Sequence, residues 1–137
     1  MSAEIKPLVL KKTATHINPH YIDLLGHPWS LSVTSVGVEF SSQDRLATNE
    51  LVLLCVNLCE SAAVEEYPQR TDLTPLCQFK LNYGDGVFFH RVDSRFFPVT
   101  RKRQDVTIHL ITKDGHDLCT EIFGDIQVMC NFKRVTF

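Results

Sequence analysis

The residues best able to do chemistry in this chain are its five cysteines and six histidines. Cys55 and Cys59 are four apart, and His116 and Cys119 are three apart. Residues four apart on a strand share a face, so Cys55 and Cys59 can converge. Structural zinc sites, however, usually bring paired ligands on tight turns of the C-x₂-C kind. No such pair occurs. The cysteines lie mostly inside apolar runs and read as buried free thiols, which expects folding in a reducing compartment. Nucleophilic catalysis needs a base and an orienting group beside the nucleophile. No G-x-S-x-G elbow is present, and His16, His20 and His27 fall in a loop rich in Pro and Gly. Glu65-Glu66 reads as a solvated loop face, and Asp114 as a turn residue near Asp117. The expectation is a protein that is not an enzyme and uses no metal or cofactor.

The chain is 137 residues long, 44% hydrophobic and 22% charged. That fits one domain, able to bury a core without metal or disulfide staples. A net charge of −2 provides no global field for nucleic acid or an anionic membrane. Basic residues do cluster at Arg101, Lys102 and Arg103, between two strand-like segments. There they are expected at a rim, in contact with solvent or an acidic neighbour. Met1 to Lys6 carry no signal-peptide pattern, and no apolar run approaches the roughly 20 residues that span a bilayer.

The elements that must position these residues are strands. Residues 7 to 15 have strand propensity; Met1 to Thr15 are expected to be an arm or a first strand. Trp29, Leu31 and Val33 alternate on odd positions, then Val36, Val38 and Phe40 on even ones. Gly37 sits at the flip, so a β-bulge or bend is expected there. Leu51 to Cys59 is apolar on both faces and expects a central strand. Residues 60 to 75 are loop-like, with a possible helical turn at Ser61 to Val64, and Leu76 to Leu81 is a further strand. Asn82 to Gly86 is a strong turn signal, and Val87 to Val92 is strand-like. Phe88, Phe89, Phe96 and Phe97 form two adjacent pairs, so alternation should turn one member of each pair outward. Val106, Ile108 and Leu110 share a face, Lys113-Asp114-Gly115 turns the chain, and Ile126, Val128, Cys130 and Phe132 share another. These last segments read as a closing hairpin. The tally is about eight short strands and no convincing helix, a β-sandwich or barrel.

The order of these motifs resembles the penton (minor capsid) proteins of polintons, adintoviruses and related small double-stranded DNA viruses. Those proteins carry an apolar strand ending aromatic-Cys-Asp-apolar-apolar-Glu; here it reads Cys55-Val56-Asn57-Leu58-Cys59-Glu60. Pro75-Leu76-Cys77 matches a short Pro/Leu-Leu strand, and Phe97-Pro98-Val99 an aromatic-Pro-Val segment. Asp105 to Gly115 matches an Asp-led strand and acidic turn. Phe123-Gly124 and Cys130-Asn131-Phe132-Lys133-Arg134 match the family's Phe-x-x-Gly and its closing Leu-His-Phe-basic-basic strand. The likeness covers roughly residues 50 to 135. It departs at Asn57, where the family has an acid, at Gln78, where it has Arg, in the shortened Phe-to-Gly spacing, and at Cys130-Asn131.

The resemblance implies an all-β single jelly-roll sandwich of about eight antiparallel strands. It implies a structural subunit that forms homopentamers at the fivefold vertices of an icosahedral virion. Its partners would be other copies of itself, a major capsid protein, and packaged DNA or inner capsid components. Synthesis would be in the host cytoplasm or nucleus. A cyclic head-to-tail pentamer needs two unlike patches per subunit. The expected interface residues are Phe88, Phe96, Arg101, Lys102 and Arg103. The alternative is a monomeric β-sandwich binding module for carbohydrate or protein, including a host-captured copy. Its site would be one concavity at a loop end.

Overall fold

The computed structural model describes residues 2–17, 29–44, 49–58, 74–82, 86–92, 95–99 and 105–136. His20, His27, Cys59, Glu60, Ser61 to Val64, Glu65-Glu66 and Arg101 to Arg103 lie outside the described residues. Among the described residues the fold is antiparallel β with one helical turn, in a five-stranded, a three-stranded and a two-stranded sheet around a shared core.

One sheet runs in the order β1 (Ser2–Lys11), β10 (Asp125–Thr136), β3 (Trp29–Glu39), β6 (Val87–Arg91), and β7 (Phe97–Pro98) also pairs with β3. The other is built from β5 (Thr74–Asn82), β4 (Asn49–Val56) and β9 (Ile108–Thr112), with β2 (Thr15–His16) paired to β8 (Asp105–Val106). Only Thr107 separates β8 from β9. Its N–H donates to Asn57 Oδ1 at 3.1 Å, its carbonyl accepts from Asn57 N at 3.3 Å, and Asn57 Nδ2 donates to the Asp105 carbonyl at 3.1 Å. One asparagine thus replaces the missing ladder partners and joins the two short ladders. The antiparallel pairs are nested: β1 with β10, β2 with β8, β3 with β6 and β7, β4 with β5. Two further pairings, β10 with β3 and β4 with β9, close the sheets.

Alternation decides which side of each strand faces inward. Ile126, Val128, Cys130 and Phe132 on β10 are buried, as are Val106, Ile108 and Leu110. They meet Leu31, Val33, Val36 and Leu54 in one cluster, where Trp29 and Phe132 pack edge-to-face at 5.9 Å. Burying each such large side chain stabilises the fold by about 1.5–3 kcal/mol. β4 is central and apolar on both faces: Leu53 and Cys55 form a second buried cluster with Ile111. Pro7, which has no N–H to donate, sits on β1, an edge strand.

Two expectations need correction. β9 and β10 do not form a hairpin: β9 pairs with β4, and β10 pairs with β1 and β3 in the other sheet. The turn at Gly115 (φ +88°) does close, with Gly115 N donating to the Thr112 carbonyl at 3.0 Å. The chain then makes the single turn α1 (Leu118–Glu121) and crosses to the opposite sheet. The core-facing sides of β9 and β10 look at each other across the sandwich, so they cannot lie side by side in one sheet. The phase flip in β3 also falls elsewhere. Val33 pairs with Cys130 and Ser35 with Met129, which leaves Thr34 as the extra residue. The Thr34 hydroxyl donates to the Met129 carbonyl at 3.0 Å and its carbonyl accepts from Val92 N, so the bulge keeps its hydrogen bonds. Gly37 is in regular register, paired with Gln127 and Phe89.

Candidate functional site

Among the described residues the cysteines and histidines do not converge. His116 pairs with Glu121 at 2.9 Å on the surface, while Cys119, itself on α1, is buried. Burial pushes the Cys77, Cys119 and Cys130 thiols up to about 12, which makes them poor nucleophiles and poor ligands. No cluster of three His, Cys, Asp or Glu residues able to hold a metal occurs among the described residues.

One hydroxyl–imidazole–carboxylate chain is present that the sequence reading did not single out. Thr107 Oγ1 lies 2.9 Å from His109 Nε2, and His109 Nδ1 lies 2.6 Å from Asp117 Oδ2. Asp117 Oδ1 accepts from Leu110 N at 3.2 Å and Cys119 N at 3.0 Å, which caps α1. Burial acts to raise the Asp117 carboxyl, but His109 and the two amides outweigh it and hold the carboxyl below its ordinary range. With its second oxygen committed to backbone, Asp117 ties α1 to β9.

A second carboxylate does similar work. Asp44 is 2% exposed and accepts from Ser41 N at 2.7 Å, Phe123 N at 2.6 Å and Gly124 N at 3.2 Å. Lys12 Nζ donates to the carbonyls of Ile122 and Gly124, both at 2.7 Å. This opposed pair clamps the crossing from α1 to β10. Burial acts to raise Asp44, and the three amides with Lys12 outweigh it, leaving the carboxyl low. A Cβ on Gly124 would stand 1.9 Å from the Glu39 carbonyl oxygen, so only glycine fits.

Several large apolar side chains are exposed among the described residues. Val87 is 70% exposed, Phe89 67%, Ile5 57% and Met129 50%. Of the expected interface residues, Phe96 is 38% exposed and carries Lys133 Nζ over its ring at 5.0 Å. Phe88 is half-buried: it stacks on Phe79 at 5.8 Å against the core, and Phe89 is the more outward member of that pair. The reason is the β6–β3 register, which sets Phe88 opposite the buried Val38 and Phe89 opposite the outward Gly37. Phe97, the inward member of the other pair, packs against the core under Arg95, whose guanidinium lies 4.7 Å from its ring. Arg101, Lys102 and Arg103 lie outside the described residues.

A shallow groove of about 230 Å³ opens on the outer sheet face over Gly37, walled by Val87 and Phe89 and rimmed by Glu39, Asp125 and Gln127. No protein-family model, curated protein or solved structure matches the chain. The surface therefore has to be interpreted on its own chemistry. No helix among the described residues is long and apolar enough to cross a membrane. Alternation alone marks Phe88 and Phe89 as facing opposite ways; only the register says which faces out.

Proposed function

We propose that this chain is a structural capsid subunit, a penton that closes the fivefold vertices of an icosahedral double-stranded DNA virus shell. The observation that carries the proposal is the nested pairing. β1 pairs with β10, β2 with β8, β3 with β6 and β7, and β4 with β5, a nesting that supports the path of a long hairpin rolled up as in a jelly roll. The motif order from Cys55 to Arg134 favours the same family. The exposed apolar residues on both edge strands of one sheet supply surface that an assembly would cover. In this reading Asp44, Lys12 and Asp117 hold the shell unit rigid, and function is packing, without a chemical step. Partners are further copies of the chain, a major capsid protein and the inner capsid contents.

Native mass spectrometry of the purified chain tests the proposal. The expected result is a discrete five-copy particle. A strict monomer at high concentration, with no co-assembly when a major capsid protein of the same virus is added, would overturn it.

A further inference from the structure

We infer that one end of the five-stranded sheet is a nucleic-acid contact, which takes the phosphodiester backbone on Lys133 and Arg95 with Phe96 beside them. The inference rests on the vertex reading for which nucleic acid is met, the packaged genome, and it names the surface that meets it.

Strand register gathers this surface. Glu4, Arg134 and Trp29 form one cross-strand row. Ile5, Lys133, Ser30 and Pro98 form the next, and Lys6, Phe132, Leu31 and Phe97 the third. Arg95 and Phe96 lead into β7 at the same end. Alternation sets Arg134 and Lys6 on the side of the buried Phe132 and Lys133 on the other, so bases straddle the end of the sheet. Among the described residues here, Lys6, Arg95, Lys133 and Arg134 face one acid, Glu4. At the opposite end Glu39 and Asp125 pair across strands, with Lys11 near Asp125. A net charge of −2 thus conceals a basic end.

The partners of these bases leave their charge uncancelled. Glu4 is shared, with Lys6 Nζ 3.3 Å from one oxygen and Arg134 on the other. Two bases on one carboxylate leave one positive charge over. The Arg134 guanidinium lies 5.4 Å from the Trp29 ring, and its Nε is buried with no hydrogen-bond partner. Lys133 reaches no carboxylate among the described residues; its ammonium stands 5.0 Å from the centre of the Phe96 ring. Arg95 lies over Phe97 at 4.7 Å. A ring steadies a cation without neutralising it, so the charge stays available to an incoming anion. Cations alone would serve an acidic protein equally well. The half-open Phe96 ring favours nucleic acid, because a nucleotide brings a phosphate for the ammonium and a flat base for the ring.

Fluorescence anisotropy of a labelled DNA oligonucleotide, single-stranded and as its duplex, tests this with the full chain over a salt series. Lys133→Gln and Arg95→Gln should each lower the slope of log Kd against log salt by about one, a phosphate contact apiece. Lys133→Arg keeps the charge and should keep the slope, which separates a lost contact from a disturbed fold. Phe96→Leu should weaken the single strand by about tenfold and the duplex far less. Lys11→Gln makes the same charge change at the opposite end and should leave the slope alone. Slopes unmoved by Lys133→Gln and Arg95→Gln, or lowered equally by Lys11→Gln, would overturn the contact. Polyglutamate that displaces the labelled strand as well as unlabelled DNA does would overturn the nucleic-acid assignment in favour of an acidic protein. Native mass spectrometry keeps the two readings apart. A five-copy particle indifferent to these substitutions removes this surface and leaves the vertex; a monomer that binds DNA and responds to them supports the surface and removes the vertex.

Discussion

Asn57 illustrates how much one side chain decides in this protein. Its carbonyl oxygen accepts from Thr107 and its amide donates to Asp105, bridging the break between β8 and β9. Aspartate, the residue at the matching position of the resembled family, accepts but cannot donate. Asn57→Asp should therefore leave the Asp105 carbonyl short of a partner and lower stability by about 1–2 kcal/mol, read from the urea midpoint. Asp44 carries the pH dependence together with Asp117. Both carboxyls lie below the ordinary 3.8 in the folded state. In acid the unfolded chain binds more protons, so their stabilisation is present above that value and is lost as pH falls through the folded values. The urea midpoint should stay level near neutrality and drop below about pH 4. Asp44→Asn should flatten the drop and lower neutral-pH stability by about 2 kcal/mol, because a donor replaces an acceptor facing three amides. A drop of unchanged depth in that variant would place the acid sensitivity elsewhere.

Among the elements, β3 is governed by its bulge. Thr34 lets Trp29, Leu31 and Val33 point into the same core as Val36 and Val38. Deleting Thr34 should turn one half of the strand inside out, so the protein should lose its near-ultraviolet circular dichroism and cooperative melting. Gly37→Ala is the contrasting case. No conformational or steric constraint opposes it, and stability should rise by about 0.5–1 kcal/mol. A loss there would show that Gly37 is needed by the fold itself. The phase flip was legible in the sequence, but its exact position was not. Glycine is the commonest marker of a bulge, whereas here a threonine hydroxyl satisfies the local backbone.

At the scale of the whole molecule, the two sheets close over a core that takes in thiols as ordinary apolar groups. Burial pushes Cys77, Cys119 and Cys130 up to about 12, so these thiols stay protonated near neutral pH. Iodoacetamide labelling of the native protein followed by mass mapping should modify Cys119 and Cys130 only as the chain unfolds, with the half-buried Cys77 reacting ahead of them. Fast labelling of Cys119 or Cys130 in the folded chain at neutral pH would contradict the burial described. The supposed closing hairpin belongs to this scale as well. A local turn signal at Lys113 to Gly115 was real, yet the two strands flanking it went to opposite sheets. Local turn chemistry fixes that the chain bends; which strands then pair is decided by where each apolar face can be buried.

The sequence by itself determined the all-β class, the inward sets of β9 and β10 and the two-sided apolar character of β4. Each follows from side-chain period, which is a property of the chain alone. Tertiary structure alone decided the nested pairing, the place of the bulge and the outward turn of Phe89 rather than Phe88. It also placed Asp44 and Lys12 around Gly124, more than a hundred residues from Lys12 along the chain. Those depend on register and on contacts between distant segments, and a two-residue period carries no information about either.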